Sequence, residues 1–234
     1  MTSSTSVERS NNMNNWILKA TVCLALGATM MSARAQVIDF ETIPGSGPSD
    51  GMTIDTQFQA LYGVTFSLET GGSPVLAKVG APRTAFQGYN LLPDQPAPGT
   101  NAGEYFLTDD GVVSGPPEPL IIRYSYPVAG AGGIILDIDG AEEFTVQARN
   151  AVDDVIGTVV LPPNNELDGS ATRWGFDFGT DVIHSIRIVF TGAGGGVGLA
   201  FDNFSTNAVP EPASMLALGT GFAALALKRR GRRH

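Results

Sequence analysis

Apolar and polar positions alternate at period two through most of residues 37–206, and the alternation is interrupted repeatedly by Gly, Pro, Asn or Asp. No stretch there sustains the 3.6-residue apolar period of an amphipathic helix. The pattern predicts strands at residues 37–41, 63–67, 104–108, 120–126, 133–138, 143–150, 155–161, 173–178, 185–191 and 199–206, with a weaker one at 75–79. Residues 53–62 are ambiguous and could hold one helical turn. Residues 45–51 read as a loop. Residues 82–103, with four prolines and little periodicity, read as a long connection that crosses the surface or covers a site. Roughly ten strands separated by turn signals predict an all-β, antiparallel two-sheet sandwich, most simply a jelly roll. Turn chemistry suggests hairpins around Asp137–Gly140, at Asp153-Asp154 and at residues 192–196. In residues 173–178, Trp174, Phe176 and Phe178 share one face and Arg173, Gly175 and Asp177 the other, which predicts that the aromatics point inward.

The two ends follow a different pattern. Residues 20–31 form an apolar stretch of signal-peptide length, and Ala33-Arg34-Ala35 fits a small-x-small cleavage site, so residues 1–35 read as a secretory signal peptide. Met13 would make a more compact start. At the other end, Val209-Pro210-Glu211-Pro212 precedes an apolar run at 213–227 and a basic cluster of Lys228, Arg229, Arg230, Arg232 and Arg233. Fifteen helical residues span about 22 Å against roughly 30 Å of hydrocarbon, so this single apolar transmembrane helix is a short anchor that leans on its flanks or is temporary. Its basic side stays cytoplasmic, which puts residues 36–208, read as one domain, outside.

Composition sharpens this picture. Eight of the 14 Lys and Arg lie in the two ends and only two of the 23 acids do, which leaves residues 36–208 with six cations, 21 carboxylates and a net charge of −15. So acidic a body repels phosphate backbones and disfavours nucleic acid as a partner; it favours divalent cations, calcium first outside the cell. The one cysteine, Cys23, falls in the signal peptide, so the exported body has no disulfide, no thiol chemistry and no cysteine metal site.

Catalytic signals are sparse. Gly47-Pro-Ser-Asp-Gly51 has the spacing of a hydrolase elbow but sits in a Pro- and Gly-rich loop. His184 is the lone histidine of the body, in a strand-like run. Residues 194–198 lack the spacing of a dinucleotide-binding turn and the helix that would follow it. Asp137-x-Asp139-Gly140 starts like a calcium loop without its later ligands; Asp137 and Asp139 project from one strand face, with Glu142 and Glu143 following, and read as a solvated acidic loop or a weak second cation site. A carboxylate-pair glycosidase needs only two acids at a set separation, and 21 are present.

The Pro-Glu-Pro break, short apolar helix and terminal Arg cluster together resemble the PEP-CTERM sorting signal of Gram-negative bacteria, a resemblance covering 26 of 234 residues. It implies export, a precursor held transiently in the inner membrane, processing by an exosortase, and delivery to the cell surface or exopolysaccharide matrix. The body opens with Ile38-Asp-Phe-Glu41, continues through Gly63-Val-Thr-Phe66 and closes with Phe201-Asp-Asn-Phe204, which resembles the jelly-roll, carbohydrate-binding-like bodies of many secreted bacterial proteins. That resemblance implies first and last strands side by side and a structural calcium held by Glu41 and Asp202, with Asp39 or Asn203 as possible additions. The expectation is therefore an exported, non-enzymatic protein that binds or structures exopolysaccharide around a structural calcium. A secreted glycan-active enzyme using carboxylates and a self-associating biofilm protein are the alternatives.

Overall fold

The computed structural model describes residues 37–81, 85–86, 88–109, 116–164, 167–193 and 198–206. The expected signal peptide with Ala33 and Ala35, the Val209–Pro212 break, the apolar helix at 213–227 and the basic cluster from Lys228 to Arg233 lie outside the described residues. Among the described residues, no helix is long and apolar enough to cross a membrane.

Strands form where the period-two pattern places them: β1 (Val37–Ile38), β2 (Val64–Leu68), β3 (Val75–Lys78), β4 (Tyr105–Thr108), β5 (Leu120–Val128), β6 (Gly130–Leu136), β7 (Phe144–Arg149), β8 (Val155–Leu161), β9 (Ala171–Asp177), β10 (Ile183–Phe190) and β11 (Phe201–Ser205). The ambiguous stretch holds one short helix, α1 (Gln59–Tyr62), closed by Gly63 at φ 66°, whose amide donates to the Gln59 carbonyl. β1 is shorter than expected because Phe40 turns to φ 57° and ends the extended run before Glu41.

The strands build two antiparallel sheets that face each other as a sandwich. One has six strands in the order β3-β4-β11-β6-β9, with β1 also paired to β11; the other is β2-β5-β10-β7-β8. Successive strands repeatedly change sheet, so two expected hairpins are not hairpins. The chain passes from β6 to β7 and from β10 to β11 across the sandwich, because β10 already has β5 and β7 on its two edges and β6 has β9 and β11. The Asp153 turn does join a hairpin, β7 to β8, with Phe144 opposite Leu161.

Between the sheets lies an aromatic core. Phe204 packs on Phe66 at 5.8 Å between ring centroids, on Tyr124 at 6.0 Å and on Phe201 at 6.0 Å, and Phe40 and Phe58 extend the cluster over α1. Trp174 and Phe176 point inward as expected. Phe178 emerges at the rim, 37% exposed, stacked on Phe176. A second, smaller core lies on the opposite face of the six-stranded sheet, where Phe86 of the long 82–103 connection packs on Phe106 at 5.6 Å, beside Ile134, Leu136 and Ala200. That connection therefore covers one half of the sheet's outer face. The other half, over β6 and β9, carries glycines where side chains would stand.

Candidate functional site

The outer face of the six-stranded sheet and the end-strand pair beside it make the most developed site. β1 lies antiparallel to β11, with Val37 opposite Ser205 and Ile38 opposite Phe204, so the two ends of the body meet. Just beyond β1, Glu41 Oε1 accepts from the Tyr105 amide at 2.8 Å. On β11, Asp202 Oδ2 accepts from the Gly103 amide at 3.3 Å and Oδ1 from the Asn203 amide at 2.7 Å. Both acids thus converge on the backbone of residues 103–105. Position 103 is a glycine for a steric reason: the Glu41 carboxylate occupies the space a Cβ would need. Asp39 Oδ1 accepts from the Glu41 amide at 3.2 Å, and Asn203 Nδ2 donates to the Asn101 carbonyl at 2.8 Å.

Asp202 is wholly buried, and burial pushes its pKa up to about 7; the neighbouring Asp39 and Glu41 charges push the same way, against the two backbone amides. This donor set is entirely oxygen and anionic, the chemistry a hard cation takes. Yet among the described residues no group of three or more His, Cys, Asp or Glu side chains is arranged to hold a metal ion. The candidate side-chain ligands expected from the sequence, Glu41 and Asp202, both reach the backbone of residues 103–105.

Next to this pair, a groove of about 580 Å³ crosses the open half of the sheet face. Its floor is backbone: Gly132 and Gly175 stand opposite one another on β6 and β9, and a Cβ built on Gly175 would approach only the Ala131 carbonyl, at 3.6 Å. Its walls carry Arg173, Asp177, Asn101, Asn203 and Ser205. Asn101 and Asn203, hydrogen-bonded to each other, belong both to this wall and to the surroundings of Asp202. Sequence reasoning missed the groove. The available signal was the run Gly130-Ala-Gly-Gly133 and the lone Gly175 inside strand patterns, since strand glycines mark close approach of another group.

A second acidic site lies beyond the end of β6. Asp137 has φ 60° and has already left the strand, so Asp137 and Asp139 do not share a strand face as expected; they sit in the turn. With Glu142 and Asp168 they line a polar cavity of about 220 Å³. Burial raises Asp137 to about 6, against the Gly169 amide that it accepts at 2.6 Å, and raises Glu142 to about 7. Asp94, from the long connection, is wholly buried nearby and raised by burial to about 6. Its Oδ1 accepts from the Ala85 and Phe86 amides at 2.8 and 3.0 Å, and its Oδ2 has no partner. Asp137, Asp139 and Glu142 are half-buried rather than solvated, contrary to the loop reading, while Asp168 is exposed.

The remaining sequence signals do not assemble a nucleophile and base. Ser49 lies in a loop with no strand leading into it. His184 stands half-buried in β10, and most of the glycine run at 194–198 lies outside the described residues.

Residues 208–233 match the PEP-CTERM protein-sorting motif. The motif implies export and a membrane-anchored precursor processed by an exosortase. No curated protein matches the chain in sequence. Among solved structures it is similar to a cleaved adhesin domain of Lys-gingipain from Porphyromonas gingivalis, at 11% identity and a TM-score of 0.36 over 62% of this chain and 89% of that one. It is similar to a second cleaved adhesin domain of Lys-gingipain, at 10% identity and 0.41 over 74% and 98%. It is also similar to a mutant family 29 carbohydrate-binding module, at 10% identity and 0.30 over 57% and 94%. These are adhesin and carbohydrate-binding-like β domains, and at such scores they say nothing about this chain's ligand.

Proposed function

We propose that this chain is an exported, non-enzymatic protein of the cell surface or extracellular matrix that binds exopolysaccharide along the glycine-floored groove, with a structural calcium between Glu41 and Asp202. The observation that carries this reading is the groove itself. Its volume falls within the roughly 300–1,000 Å³ range of small-ligand sites. A flat backbone floor admits a sugar ring close to the sheet, and Arg173, Asp177, Asn101 and Asn203 offer donors and acceptors to hydroxyl pairs along both walls. Calcium would neutralise Asp202 and tie the segment around residues 101–103 to β11, holding the Asn101–Asn203 wall in place. The sorting motif supports the destination.

A carboxylate-dependent glycan-active enzyme keeps one observation in its favour, the raised Asp137 and Glu142 facing a common cavity. At about 220 Å³ that cavity falls below the size range of small-ligand sites. Its lining offers acids and little else to orient a sugar ring. It suits a small cation or water better than a saccharide.

Oligosaccharides released from the producing cell's exopolysaccharide, titrated into isotope-labelled protein, provide the test. Chemical-shift changes confined to the amides of Asn101, Gly132, Gly175 and Asn203 support the groove. No change at these four amides on saturation, or reducing-end product appearing with time, contradicts it.

A further inference from the structure

Half of the six cations in residues 36–208 are gathered on the outer face of the other sheet. Register puts them there. Ser185 on β10 stands directly opposite Arg123 on β5 and opposite Arg149 on β7, and Arg187 follows two residues along β10 on the same face. With strands roughly 4.8 Å apart, two long guanidinium side chains flank one small serine. The result is a cleft of about 120 Å³ lined by all four residues. Ser185 is only 4% exposed, although it lies on the outer face, because its neighbours cover it.

The three arginines are not equally engaged. Arg187 makes a two-pronged pair with Glu69, Nε to Oε1 at 2.7 Å and Nη2 to Oε2 at 2.8 Å. Arg149 donates through Nη1 to Asp153 and through Nη2 to Gln147, each at 2.8 Å, while its Nε is buried without an acceptor. Arg123 is exposed, and among the described residues no hydrogen bond or ion pair engages its side chain. Three guanidiniums face two carboxylates, so the cleft keeps one positive charge and several unused N–H groups in a body that is otherwise strongly negative. A buried donor without an acceptor and a neighbouring exposed guanidinium leave positive charge and N–H groups that an anion would satisfy.

We propose that Arg123, Ser185 and Arg149 form a binding site for one anionic group of an acidic polysaccharide, a uronate carboxylate or a sulfate ester. That the anion belongs to a glycan rests on the function proposed above; the anion site rests on the cleft alone. The cleft is large enough for the charged group and too small for the ring that bears it, so the sugar lies across the sheet surface with its acid pointing in. Because the body is strongly negative elsewhere, the acidic groups of such a polymer are held on this face, in addition to the contacts its sugar rings make in the groove.

The test uses the full chain in detergent, with chelator present so that calcium cannot bridge carboxylates. Galacturonate, inorganic sulfate and neutral galactose are titrated while the amides of Arg123, Arg149 and Ser185 are followed. Galacturonate shifts them, galactose does not, and R123Q, an exposed change that leaves the fold intact, weakens the response at least tenfold. Sulfate binding without galacturonate binding identifies the sulfate ester as the group recognised. If neither anion moves these amides, or if R123Q binds as tightly as the wild type, the site does not exist. Exopolysaccharide that shifts only Gly132 and Gly175 overturns this inference and leaves the groove standing. Galacturonate that binds here while no polysaccharide touches the groove does the reverse.

Discussion

Replacing Asp202 by Asn keeps the side chain's size and one acceptor oxygen but removes a charge that is wholly buried beside Asp39 and Glu41. Burial of an uncompensated charge is costly, so in chelator at pH 8 D202N unfolds at or above the wild-type temperature despite the weaker bond to Gly103 or Asn203. Millimolar calcium then separates the two. A ligand that binds only the folded state adds about 2.7 kcal/mol at a hundredfold excess over its dissociation constant. Wild type therefore gains several degrees in a calorimetric scan, and neither D202N nor E41Q gains any. Equal scans with and without calcium would remove the cation from the reading. The pairing of the end strands was foreseen through the resemblance that the Phe-Glu opening and Phe-Asp-Asn-Phe closing carry, which implied first and last strands side by side. The role of Gly103 was not, because it follows from a carboxylate 62 positions away in the chain that arrives only on folding.

At the scale of elements, period two located most strands, since half-buried sheets impose alternation, while β3 and β6, buried on both faces beneath the second core, alternate little and were placed by their turn boundaries. Partners were less legible. Turn chemistry near Asp137 and at residues 192–196 looked like hairpins, yet which edges are free depends on the whole sheet, and β10 has none left for β11. The long 82–103 connection was recognisable by its prolines, and Phe86 is what makes it a cover rather than a free loop. Phe86 is 8% exposed, packs on Phe106, and its amide is held by Asp94. F86A should cost about 3 kcal/mol in denaturant unfolding and open the connection to protease. A loss below about 1 kcal/mol, with no new cleavage, would show that the connection does not cover the sheet.

The whole molecule carries an excess of buried and half-buried acid. Asp94 and Asp137 are raised to about 6, and Glu142 and Asp202 to about 7, burial being the first cause in each. A carboxylate whose folded pKa exceeds its unfolded value near 4 holds its proton more tightly when folded. Folding is therefore favoured as pH falls from about 7 towards 4 and disfavoured above. The Glu69 carboxyl, lowered by its bond to Arg187, works the other way, its stabilisation fading as pH falls through its depressed value, but it is one exposed pair against four. In chelator, the unfolding temperature should rise from pH 8 to pH 5; a maximum near pH 8 would contradict the burial of these acids. Sequence gave the acidic total but not this effect, because Asp94 and Asp137 lie 43 positions apart and become neighbours only when the long connection folds onto the sheet. For the groove only the strand glycines were a signal, and their pairing across β6 and β9 is made by the fold.

The most direct measurement on the whole molecule is calorimetric titration of the producing cell's exopolysaccharide into wild-type chain and into G175L, in millimolar calcium. A Cβ at position 175 meets only the Ala131 carbonyl, at 3.6 Å, and the position lines the groove, so the substitution fills the groove, and a scan showing an unchanged unfolding temperature is the control for its fold. Saturable binding by the wild type and binding at least tenfold weaker by G175L is the result predicted here. Equal binding by both proteins, or none by either, would contradict a polysaccharide site on this sheet face.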